Sequence, residues 1–125
     1  MTSDVDIDDL RRRFARDMER GVAELARLGY NAHYFHQMLR DHPADEVARR
    51  LVLAKQPSYG LWRLKELGRL DMSIEMWVLL PWYAPLFHPD VRHEAEKKLR
   101  LLDVDVPVEL GRLVQRLQPE HEQAE

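Results

Sequence analysis

Apolar residues recur at helical intervals through the first part of the chain. At 100° per residue, Ile7, Leu10, Phe14, Met18, Val22 and Leu25 share one face, and Arg12, Arg16, Arg20 and Arg27 line the opposite one. The same spacing recurs downstream in shorter segments, separated by signals that start and stop helices. Four polar residues sit where an N-cap belongs, each with an apolar residue before it and another five positions after that one, the arrangement of a hydrophobic staple. They are Asp6 between Val5 and Leu10, Asn31 between Tyr30 and Phe35, Ser58 between Pro57 and Trp62, and Ser73 between Met72 and Trp77. Gly29 and Gly68 follow periodic segments where a left-handed residue ends a helix. Pro43, Pro89 and Pro107 each stand at a first helical position ahead of acidic residues, with Asp105 a cap for the last of them. The spacing predicts helices near residues 6–28, 32–41, 44–55, 59–67, 74–80, 89–102 and 107–117. No segment alternates with period two, so no sheet is expected.

The predicted fold class is therefore all-α: one helical domain over residues 6–118, with a flexible start at 1–5 and an acidic frayed tail at 119–125. A length of 125 residues fits a single domain and suffices for a core that needs no metal or disulfide. Six acid-first pairs at i,i+4, Asp8–Arg12, Asp9–Arg13, Asp45–Arg49, Glu46–Arg50, Glu94–Lys98 and Glu96–Arg100, mark the expected solvent faces.

Composition removes several chemistries. With no cysteine there is no disulfide, thiolate zinc site, iron–sulfur ligation or cysteine nucleophile. Four aspartates among the first nine residues stand where a signal peptide would carry positive charge, and the most apolar stretch, residues 72–87, holds Glu75, Pro81 and Pro85 and is too short to span a bilayer. The expectation is a cytoplasmic protein. A formal net charge of -3 lacks the basic balance of a nucleic-acid-binding domain, although a local patch remains open.

Candidate chemistry is sparse. His33 and His36 at i,i+3, His42 beyond them, and His88 and His93 give no metal-binding motif, so no metal is expected. Ser58 and Ser73 are explained as caps, Gly60 and Gly68 form no phosphate loop, and no catalytic residue or cofactor is assigned. Asp17, Gly21 and Glu24 occupy the positions where a heptad seam continued from Ile7, Leu10 and Phe14 would need apolar residues. A first-helix coiled coil is accordingly not expected. Arg12, Arg16 and Arg20 could follow a polyanion, but Asp8, Asp9, Asp17, Glu19 and Glu24 are interleaved with them. The run 79–87 contains Pro81 and Pro85 and cannot be one regular helix, so its aromatic side chains should radiate in several directions. Trp82, Tyr83, Leu86 and Phe87 are thus the expected contact surface for a protein partner, or for a second copy if the chain is a homodimer and not a monomer.

A wider pattern joins these segments. Gly29, Tyr30 and Asn31, then Phe35 and Met38, then Ser58, Gly60, Leu61 and Leu64, the stretch from Gly68 and Arg69 through Asp71 and Ser73 to Glu75, and finally Pro81, Leu86 and Phe87 resemble a family of small uncharacterised bacterial α-helical proteins. The resemblance covers residues 29–99 and is most specific at 69–75. Where that family carries a glycine-rich turn, this chain has Asp41, His42 and Pro43. The resemblance implies a helical fold and no settled activity. Within its most specific stretch, Arg69, Asp71 and Glu75 could form a small polar recognition point. The expected function is a protein-interaction module acting as an adaptor or regulator. The alternative is a nucleic-acid-binding protein using the Arg12, Arg16, Arg20 face or the helix pair within residues 44–67, whose second member carries Arg63 and Lys65.

Overall fold

The computed structural model describes residues 6–123, with side chains described through Gln118. Seven α-helices follow in order: α1 (Ile7–Arg27), α2 (His33–Asp41), α3 (Ala44–Leu53), α4 (Tyr59–Glu66), α5 (Ile74–Trp77), α6 (Pro89–Leu101) and α7 (Val106–Gln123). Short 3-10 turns, Leu70–Met72 and Pro81–Tyr83, flank α5, and the described residues contain no strand. The described fold is all-α, and every expected helix is present.

The starts and stops obey local chemistry. The Asp6 carboxylate accepts hydrogen bonds from the main-chain N–H groups of Asp8 and Asp9, Ser58 Oγ from that of Leu61, Ser73 Oγ from that of Met76, and Asp105 from that of Val108. Asn31 is a correction. The N-cap position of α2 falls on Ala32, one residue past Asn31, and a methyl side chain has no oxygen to cap with; the closure ending α1 occupies Gly29 and Tyr30 just before it. That end is a Schellman closure. Gly29 has φ of 89°, and Tyr30 N–H donates back to the Leu25 carbonyl. The same closure recurs at Gly68, with Arg69 N–H on Leu64 O, and at Asp103, with Val104 N–H on Leu99 O. Asp103 is a non-glycine residue at φ of 64°.

One expected boundary moves. The backbone of the acidic tail placed at 119–125 is helical as far as Gln123, continuing the helix that begins at Val106. The flexible start placed at 1–5 and the last two residues lie outside the described residues.

At the centre, α3 packs on α1, α2, α5 and α6, while α5 lies on α6; α7 closes against α6 and the 70–72 turn. Phe14 of α1 is fully buried and meets Tyr83 and Phe87 edge to face, with ring centroids 5.1 and 5.0 Å apart. Around this aromatic cluster lie Val52, Val78, Leu80, Ala95 and Leu99, each closed to solvent. Arg92 reinforces this end by donating to the carbonyls of Val78 and Leu79 at 3.1 and 2.8 Å.

Candidate functional site

The irregular stretch expected to form a contact surface is largely interior. Tyr83 is 0% exposed and Phe87 4%, which removes both from that surface. The physical reason is the backbone itself. The chain turns through a 3-10 helix at Pro81–Tyr83, and Phe14 lies where Tyr83 from that turn and Phe87 beyond it converge. Trp82 and Leu86 are half-buried and pack on the core from its edge.

The polar trio divides in the same way. Arg69 and Asp71 do come together, with Arg69 Nε 3.1 Å from Asp71 Oδ1, and Arg116 of α7 reaches the same carboxylate at 3.2 Å. The Asp71 carbonyl accepts from Trp77 Nε1 at 2.8 Å. These contacts tie the 70–72 turn to α5 and α7, a structural task that accounts for both residue types. Glu75 is not with them. It is buried at 4% exposure and lines a cavity that neither Arg69 nor Asp71 borders.

That cavity was not expected. It has a volume of about 110 Å³ and lies between the second half of α1, the start of α2, α4 and α5. Buried Met18, Leu25, Leu61 and Leu64 line it on the inner side, and half-exposed Tyr30, Phe35 and Ser58 line it toward solvent. Gly21 and Gly60 also border it. A Cβ placed on Gly21 would meet nothing within 4 Å, so this mid-helix glycine leaves space open. At Gly60 a Cβ would come within 3.3 Å of the Tyr30 hydroxyl, which marks how closely that ring approaches α4.

Two acids belong to the lining. Asp17, read from the sequence as one of the surface acids among the arginines, is instead a buried residue that accepts a hydrogen bond from the Tyr83 hydroxyl. Burial first, and the Asp17 charge second, push the Tyr83 hydroxyl's pKa far up, so it stays protonated and remains the donor. The Glu75 carboxylate accepts from its own main-chain N–H, and among the described residues no other group hydrogen-bonds it or lies within ion-pair distance. Desolvation raises its pKa above the ordinary carboxylate value, and the charge of Lys98 opposes that rise. Lys98, itself buried, donates its Nζ to the Leu51 carbonyl at 3.2 Å, and burial lowers its pKa against the pull of Glu75 and Glu94.

On two of the helices that border the cavity, aromatic side chains outside its lining are exposed. Tyr34 on α2 is 89% exposed, and Tyr59 and Trp62 on α4 are 78% and 48% exposed. Tyr30 lies within electrostatic reach of Tyr59 and of Arg63, and Lys65 sits 5.8 Å above the Trp62 ring. No sequence signal singled these side chains out, because an exposed aromatic on a short amphipathic helix reads as core until its neighbours are known.

The remaining expectations concern charge. Arg12, Arg16 and Arg20 are exposed along α1 as the pattern required, with Arg12 bound to Asp9, whose carboxyl it holds below its ordinary pKa. Of the six acid-first pairs, Glu46–Arg50 and Glu96–Arg100 form as drawn, at 3.2 and 2.6 Å. Asp8 pairs with Arg11, Asp9 with Arg12 and Glu94 with Lys97, each one residue closer, while Asp45 reaches Arg11 across the α1–α3 contact. Arg63 pairs with Glu66. Among the described residues no three His, Asp or Glu side chains converge as a metal site would require, and no helix is long and apolar enough to cross a membrane. His36 faces Glu19 at 3.6 Å, away from the cavity lining.

Comparison of the chain with protein-family models, with curated proteins and with solved structures found no match. The resemblance drawn over residues 29–99 therefore gains no family assignment, and what stands is a small all-helical protein.

Proposed function

We propose that this chain is a small cytoplasmic interaction module, an adaptor or regulator, that binds a protein partner through the face of α2 and α4 over the cavity. The observation that carries this reading is the coincidence of an apolar cavity with exposed aromatic side chains on the helices that border it. Binding hot spots favour aromatic anchors beside well-packed pockets, and the rings of Tyr59 and Trp62 offer large contact area with little side-chain entropy to lose. The partner segment is one with an apolar stem to enter the cavity and a positive charge to meet its acidic lining. Capture from a host lysate should return one reproducible protein that is lost with Tyr59→Glu or Trp62→Glu while helical circular dichroism is retained. Retention of the same partner by both folded variants, or its loss only when Trp82 is replaced, overturns the assignment to this face.

The competing reading is nucleic-acid contact, favoured by the exposure of Arg12, Arg16 and Arg20 together on α1. Phosphate contacts are strongest at low salt, so a gel shift there separates the two readings. Duplex and single-stranded probes left unshifted at micromolar protein exclude it.

A further inference from the structure

Glu75 is a buried carboxylate without a partner side chain, and it opens onto the cavity. We infer that the cavity takes an alkylammonium group, the side chain of a lysine carried by the partner that docks over it. The identity of the carrier rests on the interaction reading above; the chemistry of the cavity does not.

Charge complementarity is the first reason. The lining holds two carboxylates, Asp17 and Glu75, and no basic side chain. Asp17 is engaged by the Tyr83 hydroxyl, whereas the Glu75 carboxylate has no other residue within hydrogen-bond or ion-pair distance among the described residues. The nearest internal cation, Lys98, directs its Nζ to the Leu51 carbonyl. A buried charge left in this way is costly, and an ammonium brought to it offsets both desolvations. Shape is the second reason. About 110 Å³ is smaller than the roughly 150 Å³ in which a benzene ring is known to sit, and it suits an unbranched four-carbon stem. Its walls include methionine and leucine side chains, with the rings of Phe35 and Trp77 also in the lining, a residue type compatible with a cation. Gly21 supplies the third reason, since a mid-helix glycine with nothing within 4 Å of its missing Cβ keeps the space empty against its own helix propensity.

The test uses the full chain without any partner. n-Butylamine, which has the stem and head of lysine, is titrated beside n-butanol and sodium butyrate at constant ionic strength, with tryptophan fluorescence and residue-assigned amide NMR shifts as readouts. Loss of a charge-assisted hydrogen bond is expected to separate the amine from the alcohol by about 10-fold or more in affinity, with butyrate weaker than either. Glu75→Gln should bring the amine down to the alcohol's affinity while leaving the alcohol unchanged, and amine binding should weaken as pH falls and Glu75 protonates. Gly21→Leu, which fills the space without touching a charge, should abolish both. Equal binding of amine and alcohol by the unmodified chain overturns the inference with no variant needed, and so does a Glu75→Gln protein that keeps the amine preference. Binding of benzylamine without n-butylamine overturns the lysine in favour of a free aromatic amine. Failure of the interaction reading shows separately, as partner capture insensitive to Tyr59→Glu and Trp62→Glu while n-butylamine still binds.

Discussion

The two halves of α1 lie against very different surroundings. Around Phe14, rings from residues 83 and 87 interlock with α3 and α6 and leave no solvent exposure, although the segment that supplies them is the least regular in the chain. Beyond Met18, the same helix borders a cavity, and its neighbour α2 is regular and amphipathic yet has no buried residue. Regularity and burial are therefore separate properties. An irregular backbone aims large side chains at one point from several directions, whereas a short helix laid on the surface can offer only one stripe inward and leaves the rest of its aromatics outside.

The sharpest way to break this contrast is to remove one ring from each side. Phe14→Ala should lower the unfolding free energy by about 3–5 kcal/mol in urea denaturation, and Phe35→Ala, which is half-buried, by about 1 kcal/mol. Equal losses would mean that the two ends are packed alike.

Hydroxyl deletions give the next largest expected difference. Tyr83→Phe removes the donor to the buried Asp17 carboxylate and should cost about 1.5–3 kcal/mol. Tyr59→Phe, at an exposed position, should stay within about 0.5 kcal/mol of the unmodified chain.

Glu75 sharpens the comparison through pH. Its pKa is raised in the folded protein by desolvation, so above the ordinary carboxylate value the folded state holds its proton more tightly than the unfolded chain does. Stability contributed by the protonated group is then full below the unfolded value of 4.5 and falls as pH rises through the folded one. Glu75→Gln keeps the neutral shape, so it should match the unmodified chain near pH 4 and exceed it in melting temperature by a margin that widens toward neutral pH. A margin constant with pH would show that Glu75 is no more desolvated than a surface carboxylate.

The smallest expected effect is a gain. Gly21→Ala adds a methyl group where no atom lies within 4 Å and should stabilise the helix by about 0.5–1 kcal/mol in thermal unfolding. A loss instead would mean that the cavity end is as tightly packed as the Phe14 end.

Legibility followed the range of the interaction involved. The caps at Asp6, Ser58 and Ser73 could be read because each oxygen bonds an N–H two or three residues away. Asn31 misled because the N-cap position falls one residue later, on Ala32, just past the closure that ends α1. Asp17 was recognised as a break in a heptad seam, but its burial depends on a hydroxyl 66 residues further along. Glu75 was read as a first-turn acid welcomed by the helix dipole. That remains true of its backbone position, while the direction of its side chain was set by how α5 packs between α3 and α6.

The sequence by itself determined the all-α class, the starts of seven helices and the ends of all but α7 within a few residues, the glycine closures at Gly29 and Gly68, and the buried stripe of α1 through Leu10, Phe14, Met18 and Leu25. These are consequences of hydrogen bonds and periodicities that span less than two turns of chain. Only the tertiary structure decided that Tyr83 and Phe87 are core while Tyr59 and Trp62 face solvent, that Asp17 and Glu75 are buried together beside a cavity, and that Gly21 borders empty space. Side-chain burial is settled by which distant elements meet, and a helical period specifies a face without naming what will cover it.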